Sequence, residues 1–338
     1  MNKVDIQDER DAAKRLSASA ETFAKVRTGL NAVIFGQEEV IEQTLITLLA
    51  GGHGLLIGVP GLAKTKLVDT LGIVMGLDTS RVQFTPDLMP ADITGSEVME
   101  ESISGERAFR FIRGPVFTQL LMADEINRAS PRTQSALLQA MQEKHVTVAG
   151  ARHDLPRLFH VLATQNPLEQ EGTYPLPEAQ LDRFLLQIDV GYPGLDAERR
   201  MLLATTMGEE KSAARVCGPD DLLEAQTLVR RIPVGEQVME SILSLVRAAR
   251  PNGSDPGGDH ESGLQGQIAW GPGPRASQAL MLAVRARALL DGRLAPSTDD
   301  VAALAGPVLR HRMALNFSAR AEGATTAKVI ARLCQSLF

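Results

Sequence analysis

The stretch Gly58-Val59-Pro60-Gly61-Leu62-Ala63-Lys64-Thr65 decides how this chain is read. It follows the apolar run Gly54-Leu55-Leu56-Ile57 and precedes the helix-like Lys66-Leu67-Val68-Asp69-Thr70-Leu71. Strand, Gly-rich turn, Lys-Thr and helix is the arrangement that holds a nucleotide triphosphate. Backbone N–H groups of the turn and helix start point at the phosphates. The Lys reaches the β- and γ-phosphates, and the Thr hydroxyl reaches Mg²⁺. The candidate nucleotide-binding residues are Gly58, Pro60, Gly61, Leu62, Ala63, Lys64, Thr65 and Lys66. The usual pattern has Gly just before the Lys; here it is Ala63, at little cost if that residue is right-handed. Alone, the motif leaves an ordinary strand-turn-helix open, so its surroundings must settle the reading.

Around that turn, strands and helices alternate. Residues 8–30 are expected to form an amphipathic helix, and a second opens at Gly36-Gln37-Glu38-Glu39 and runs through Leu49. Strands are predicted near 54–58, 81–85, 119–123, 158–164 and 184–190, with helices near 64–76 and 131–144. Five buried strands alternating with helices mean a parallel α/β sheet. Thr85–Pro90 breaks regular structure, and 95–113 carries short β pieces around Ser104-Gly105-Glu106. A hairpin is expected at 145–155, turning at Ala149-Gly150. The character changes at Gly191-Tyr192-Pro193-Gly194. Beyond it only helical patterns occur, at 195–206, 219–231, 234–249, 274–291, 297–315 and 324–337. The expected division is therefore 1–193 and 194–338. Pro251 to Gly273, rich in Gly, Asp, Ser and Pro, is expected to be a loose, mobile loop.

Bulk properties narrow the function. The 338 residues are enough for two domains and a sizeable core. A net charge of −6 argues against a chain whose main work is gripping nucleic acid. Cys217 and Cys334 lie far apart with no CxxC, as for free thiols in a reducing compartment. The charged N-terminus is wrong for a secretory signal, and no apolar run approaches the ~18 residues of a membrane span. The expected location is cytoplasmic, with no membrane insertion.

Four further features carry chemistry. Leu120-Leu121-Met122-Ala123-Asp124-Glu125 fits a buried strand whose tip meets the phosphates, roughly 60 residues after the loop. Asp124 would hold Mg²⁺, directly or through water, and Glu125 would polarise the attacking water. Alone, the pair is equally a solvated acidic turn. Val161-Leu162-Ala163-Thr164-Gln165-Asn166 ends in an amide that could orient that water, or that merely turns the chain before Pro167. Arg183, in Leu181-Asp182-Arg183-Phe184, is either a surface ion-pair residue or an arginine finger completing a neighbour's site. Arg275, in Gly273-Pro274-Arg275-Ala276, opens a helix and would reach a phosphate if the second domain folds over the nucleotide; otherwise it is an exposed first-turn Arg.

In this order the features resemble an AAA+ ATPase, and more closely the MoxR family of the helix-2-insert branch. The segments that carry the resemblance are the phosphate loop, Phe84-Thr85-Pro86-Asp87-Leu88-Met89-Pro90-Ala91-Asp92-Ile93-Thr94-Gly95, Ala123-Asp124-Glu125-Ile126-Asn127-Arg128-Ala129 and the long run from Gln165 to Phe184. It covers roughly residues 30 to 335. It implies a five-stranded parallel AAA+ P-loop core followed by a C-terminal all-α lid domain, binding ATP or ADP with Mg²⁺. Lys64 and Thr65 match the Walker A pair, Asp124 and Glu125 the Walker B pair, with Thr65 and Asp124 toward the metal. Asn166 matches sensor 1, Arg183 the arginine finger and Arg275 sensor 2. Arg128 is a second candidate for work across the subunit interface. Val33-Ile34-Phe35-Gly36 resembles the segment that packs on the adenine, so Ile34, Phe35 and Gly36 join the site. The pieces at 86–113 and 145–155 resemble the helix-2 insert and the pre-sensor-1 hairpin, which face a ring's pore.

The resemblance also implies a homo-oligomeric ring, a hexamer, whose ATP hydrolysis remodels, matures or activates client complexes, including metal or cofactor insertion, with von Willebrand A-domain partners. Two other readings stay open. A nucleic-acid motor would need pore cations, for which the hairpin supplies Lys144, His145, Arg152 and His153. A slow nucleotide-gated scaffold would bind a partner and hydrolyse little.

Overall fold

The computed structural model describes residues 3–101, 107–169, 171–206, 213–251 and 264–338, with side chains from residue 11 onward. The chain opens with α1 (Lys3–Asn31) and α2 (Glu38–Leu49). Leu16, Ala20, Phe23, Val26 and Leu30 recur at helical spacing along α1 and are buried, which fixes the face it turns inward. α2 is buried on nearly every side, and its Thr44 and Thr47 hydroxyls donate to the carbonyls of Val40 and Gln43 four residues back.

The core follows as β1 (Gly54–Ile57), α3 (Lys64–Met75), β2 (Thr79–Gln83), the short α4 (Pro90–Thr94), β3 (Gly95–Glu101), β4 (Arg107–Arg113), β5 (Leu120–Asp124), α5 (Pro131–Glu143), β6 (His145–Val148), β7 (Ala151–Asp154), β8 (His160–Gln165), α6 (Glu178–Leu181) and β9 (Leu186–Asp189). Five strands form one parallel sheet in the order β2-β5-β8-β1-β9. Side chains alternate across it. Leu56, Met122, Leu162 and Ile188 face α1, α2, α3 and the C-terminal helices. Leu55, Leu121, Ala123, Val161 and Ala163 face a second cluster with Phe84, Leu137, Phe159 and Phe184. β3 pairs with β4 and β6 with β7, each as an antiparallel hairpin outside the main sheet. The two hairpins touch where the Phe111 ring stacks on His153, with centroids 3.8 Å apart. The expected turn at Ser104-Gly105-Glu106 lies outside the described residues. The second strand forms at 79–83, slightly earlier than expected, and the Phe84 N–H still donates to Asp124 O at 2.8 Å as its ring turns into the core.

The C-terminal part contains α7 (Leu195–Thr206), α8 (Pro219–Arg231), α9 (Glu236–Ala248), β10 (Ile268–Trp270), α10 (Pro274–Leu290), α11 (Thr298–Leu309), β11 (Ala314–Leu315), α12 (Phe317–Ala321) and α13 (Thr326–Leu337). It is helical, as expected, with one addition: β10 and β11 form a two-stranded antiparallel ribbon. The helix expected over 297–315 therefore ends at Leu309. Arg310–Arg312 forms a tight turn there, because the Arg312 guanidinium takes the Val308 carbonyl at 2.6 Å and reaches across to Leu185 O at 3.1 Å. Of the loop expected over 251–273, residues 252–263 lie outside the described residues. The part from Leu264 onward is a short turn leading into β10 rather than loose chain.

No helix among the described residues is long and apolar enough to cross a membrane.

Candidate functional site

All five strands of the sheet run the same way, so their C-terminal ends share one edge. Ligands in open parallel sheets sit outside that edge. The edge here opens into a cavity of about 390 Å³ lined by Pro60, Gly61, Ala63, Lys64, Thr65, Lys66, Asp124, Glu125, Thr164 and Asn166. Nearly all the residues expected at the phosphates thus converge on one space. Gly58 and Leu62 shape the loop from behind. A Cβ on Gly58 would meet the Val190 carbonyl oxygen at 2.6 Å, so only glycine fits against the residue that follows β9. Leu62 packs on the hydrophobic core.

Ala63 corrects an expectation. Its φ of 58° and ψ of 20° are left-handed, not right-handed. For an L residue with a Cβ that conformation costs roughly 1–2 kcal/mol. The loop holds it because the turn must present Lys64 and Thr65 at the first turn of α3.

The Lys64 ammonium donates to the carbonyls of Gly58 at 2.8 Å and Val59 at 2.7 Å, which holds its own loop closed over the cavity. Burial lowers its pKa, while Asp124 and then Glu125 oppose that shift. Asp124, at the end of β5, is buried and fully engaged. Oδ1 accepts from the Thr164 hydroxyl at 2.6 Å and Oδ2 from Arg81 Nη2 at 2.7 Å. Glu125 has left the strand at φ 55°, and its N–H donates to Thr164 Oγ1 at 2.8 Å. Its Oε2 accepts from Gln83 Nε2 at 2.6 Å and from Arg128 Nη1 at 3.1 Å. Asn166 donates to Glu169 at 2.9 Å, and its Oδ1 accepts from Leu168 N–H at 3.1 Å, so the amide is oriented before any ligand arrives.

Three of these partners were not singled out from sequence: Thr164, Arg81 and Gln83. Thr164 stands two residues before Asn166, one step along β8 from the Ala123↔Ala163 pair, and ties the backbone of Glu125 to the carboxylate of Asp124. Arg81 and Gln83 lie on the edge strand β2, where Gln83 is in register with Asp124. Two polar residues at alternate positions in an otherwise buried sheet were the legible signal.

Arg128 is paired within its own chain, to Glu125 and, at 4.0 Å, to Glu169; its side chain is 41% exposed. Arg183 and Arg275 do not line the phosphate cavity. Arg183 precedes β9 and so lies at the N-terminal end of the parallel strands, the opposite edge of the sheet. There Arg183 and Arg275 line a second cavity of about 370 Å³ with Lys144, Arg230, Arg312 and Asp182. Arg275 Nη1 is 3.7 Å from Asp182 Oδ2. The expectation that Arg275 folds over its own chain's nucleotide is therefore not met: the phosphate cavity draws every lining residue from the core, and α10 approaches the other end of the sheet.

In the segment Val33–Gly36, Ile34 is buried in the core. Gly36 lies directly against Pro193 and Ala197, and Arg200 sits 5.8 Å over the Phe35 ring. Gln37 donates to Gly191 O at 2.8 Å, tying this segment to the stretch after β9.

The donors Thr65 and Asp124 are hard oxygens, the kind Mg²⁺ takes alongside substrate phosphates. No group of three or more His, Cys, Asp or Glu able to hold a metal exists among the described residues. The residues present fit that ion.

A parallel sheet with a Gly-rich loop between strand and helix, an acidic pair on the next strand but one and a polar sensor on the strand between them defines a P-loop ATPase of the AAA+ class. Residues 53–186 match the family model described as ATPase family associated with various cellular activities, and residues 261–333 match that of the AAA lid domain. The chain is 39% identical to Chaperone MoxR1 of Mycobacterium tuberculosis, over 96% of this chain and 84% of that protein. It is 30% identical to Protein MoxR of Paracoccus denitrificans, over 87% and 89%. A crystal structure of a candidate ATPase from Cytophaga hutchinsonii superposes with a TM-score of 0.87 at 35% identity, covering 98% of both chains. The chain belongs to the MoxR family of AAA+ ATPases.

Proposed function

We propose that this protein hydrolyses ATP in a Mg²⁺-dependent reaction within a homo-oligomeric ring, and that the ring acts as a chaperone-like machine on partner proteins. What carries the reading is the separation of the site into two halves on opposite ends of one sheet. Lys64, Thr65, Asp124, Glu125 and Asn166 occupy one edge, and Arg183 and Arg275 the other. The four-residue strand β9 alone spans about 13 Å. Neither arginine lines the phosphate cavity of its own chain, and in this reading both meet the phosphates of a neighbour. A head-to-tail contact of this kind gives a ring when its rotation closes. The division at 193/194 belongs to the same proposal.

In this reading Lys64 and the N-terminal amides of α3 hold the phosphates. Asn166 and Glu125 orient the attacking water, and Glu125 accepts its proton. Glu125 must first release Gln83 and Arg128. Thr65 and Asp124 hold Mg²⁺, which when bound neutralises charge on the β- and γ-phosphates. Arg183 and Arg275 of the adjacent subunit supply further positive charge as the γ-phosphoryl departs. A client protein and a von Willebrand A-domain partner follow from the resemblance, with metal or cofactor insertion as the finer form of the activity. The cytoplasm is the proposed location. Nucleic acid is not the proposed partner. Arg152 pairs with Asp154 at 2.8 Å, His145 lies 3.4 Å from Glu143 and His153 is stacked on Phe111, which leaves Lys144 as the cation of that set with no acidic partner among the described residues.

The test is ATPase activity per subunit across protein concentration, with mass in solution followed in parallel. Activity should rise with assembly and be lost on chelation of Mg²⁺. Glu125→Gln should lower turnover about 10²–10⁴-fold with ATP binding kept. Full activity from a monomer would remove the ring mechanism.

A further inference from the structure

We propose that Arg312 is a positioning residue that clamps Arg183 and Arg275 into one rigid unit delivered to the neighbouring subunit's phosphates. This inference rests on the proposed trans role of those two arginines.

Arg312 sits in the turn after α11, with its side chain 3% exposed. It is the sort of buried guanidinium that must use every donor. Nε donates to Asp182 Oδ1 at 2.7 Å, Nη1 to Leu185 O at 3.1 Å and to Val308 O at 2.6 Å, and Nη2 to Asp182 O at 3.3 Å and to Phe184 O. All but one of these bonds land on residues 182, 184 and 185, which flank Arg183 on both sides. The guanidinium of Arg183 itself makes no hydrogen bond among the described residues. The clamp thus fixes the backbone on either side of the finger and leaves its side chain available.

Asp182 joins the second arginine to the same body. One carboxylate oxygen takes Arg312, and the other faces Arg275 at 3.7 Å. The segment just before β9 and the turn after α11 are therefore held by a single buried fork, and α10 joins them through Asp182. Lysine carries the charge but not the planar five-donor geometry, so it cannot grip both the carboxylate and four backbone carbonyls. A small displacement of a group that acts on a transition state is expensive: about 10²-fold for 1 Å.

The test uses full-length subunits. Arg312→Lys should lower ATP turnover at least tenfold, while ATP binding by that variant, read with a fluorescent ATP analogue, stays within twofold. Lys64→Ala subunits lack a working phosphate site but keep their arginines. Mixed with Arg312→Lys subunits, they should restore turnover several-fold above either alone, because intact fingers then meet intact phosphate sites. Arg183→Ala mixed with Lys64→Ala is the reference. Rescue of both mixtures supports the clamp. Rescue of Arg183→Ala but not of Arg312→Lys overturns it and leaves the trans reading standing, since a folding defect cannot be supplied by a neighbour. Rescue of neither overturns the trans reading itself, and the clamp with it. Full turnover by Arg312→Lys alone also overturns the clamp. Should Arg312→Lys lose ATP binding, Asp182→Asn takes its place in the same series, with the same outcomes expected.

Discussion

Ala63 shows how much one φ angle weighs at this site. The residue is left-handed, a conformation glycine adopts freely and alanine does not. Ala63→Gly should therefore stabilise the fold by about 0.5–1 kcal/mol, the relief of strain being partly offset by the looser unfolded chain. Urea unfolding would read this as a higher midpoint at unchanged slope; a lower midpoint would mean that the loop does not carry the strain. Thr164 is the second residue of interest. Its hydroxyl serves both Asp124 and the Glu125 backbone within 2.8 Å. Thr164→Val keeps the shape but leaves the carboxylate short of a donor, at a cost of about 1–3 kcal/mol. We expect kcat to fall about 10-fold or more with KM for ATP little changed, and a variant with unaltered kcat would show that Asp124 is oriented by other means.

Helix α1 has a clear structural part. It brings Leu16, Phe23, Val26 and Leu30 into the same cluster as α2, α3 and the C-terminal helices α8 and α10. Phe23 is fully buried, so Phe23→Ala should cost about 3–5 kcal/mol, measured by chemical unfolding. A loss below 1 kcal/mol would indicate that α1 is a loosely attached arm. The hairpins β3–β4 and β6–β7 behave differently. The first leaves Met99, Phe109 and Ile112 exposed, the second buries Val146, and they touch each other through Phe111 and His153. A hairpin that buries so little of its own apolar surface as β3–β4 has less holding it in place than α1 does.

Three buried histidines tie the stability of the whole molecule to pH. Burial, and then the charge of His160, lowers the pKa of His53 to about 3. Burial lowers that of His160 to about 4, and that of His311 well below its usual value. His160 bridges the sheet to α8, with Nδ1 on Gly52 O at 2.8 Å and Nε2 against the Gln226 amide at 3.0 Å. In the unfolded chain each would titrate near 6.5. The unfolded state therefore binds more protons below that pH, so stability is complete above about pH 6.5 and falls as the pH drops toward 4. Each neutral histidine adds a slope of up to about 1.4 kcal/mol per pH unit. Unfolding midpoints compared at pH 7.5 and pH 5 should fall clearly; equal midpoints would contradict the buried neutral state.

Much of this was legible along the chain, because the deciding signals are local. A loop that cradles phosphates must lie between a strand and a helix, and an acidic pair must close a buried strand. The periods of those elements are visible in a single sequence, as at Gly54–Thr65 and Leu120–Glu125. What was not legible depends on strands far apart in sequence becoming neighbours. Thr164 meets Asp124 only because β8 lies beside β5, and Arg81 and Gln83 matter only because β2 is the next strand out. The helix expected through 315 stops at Leu309 because a buried Arg312 finds carbonyls at Phe184 and Leu185, just before β9, a demand that no local pattern records. Residue types and spacing thus determined that the chain would bind a nucleotide on a parallel sheet. Tertiary packing decided which end of that sheet Arg183 and Arg275 would occupy, since strand direction and lid placement are properties of the assembled core and not of any stretch of it.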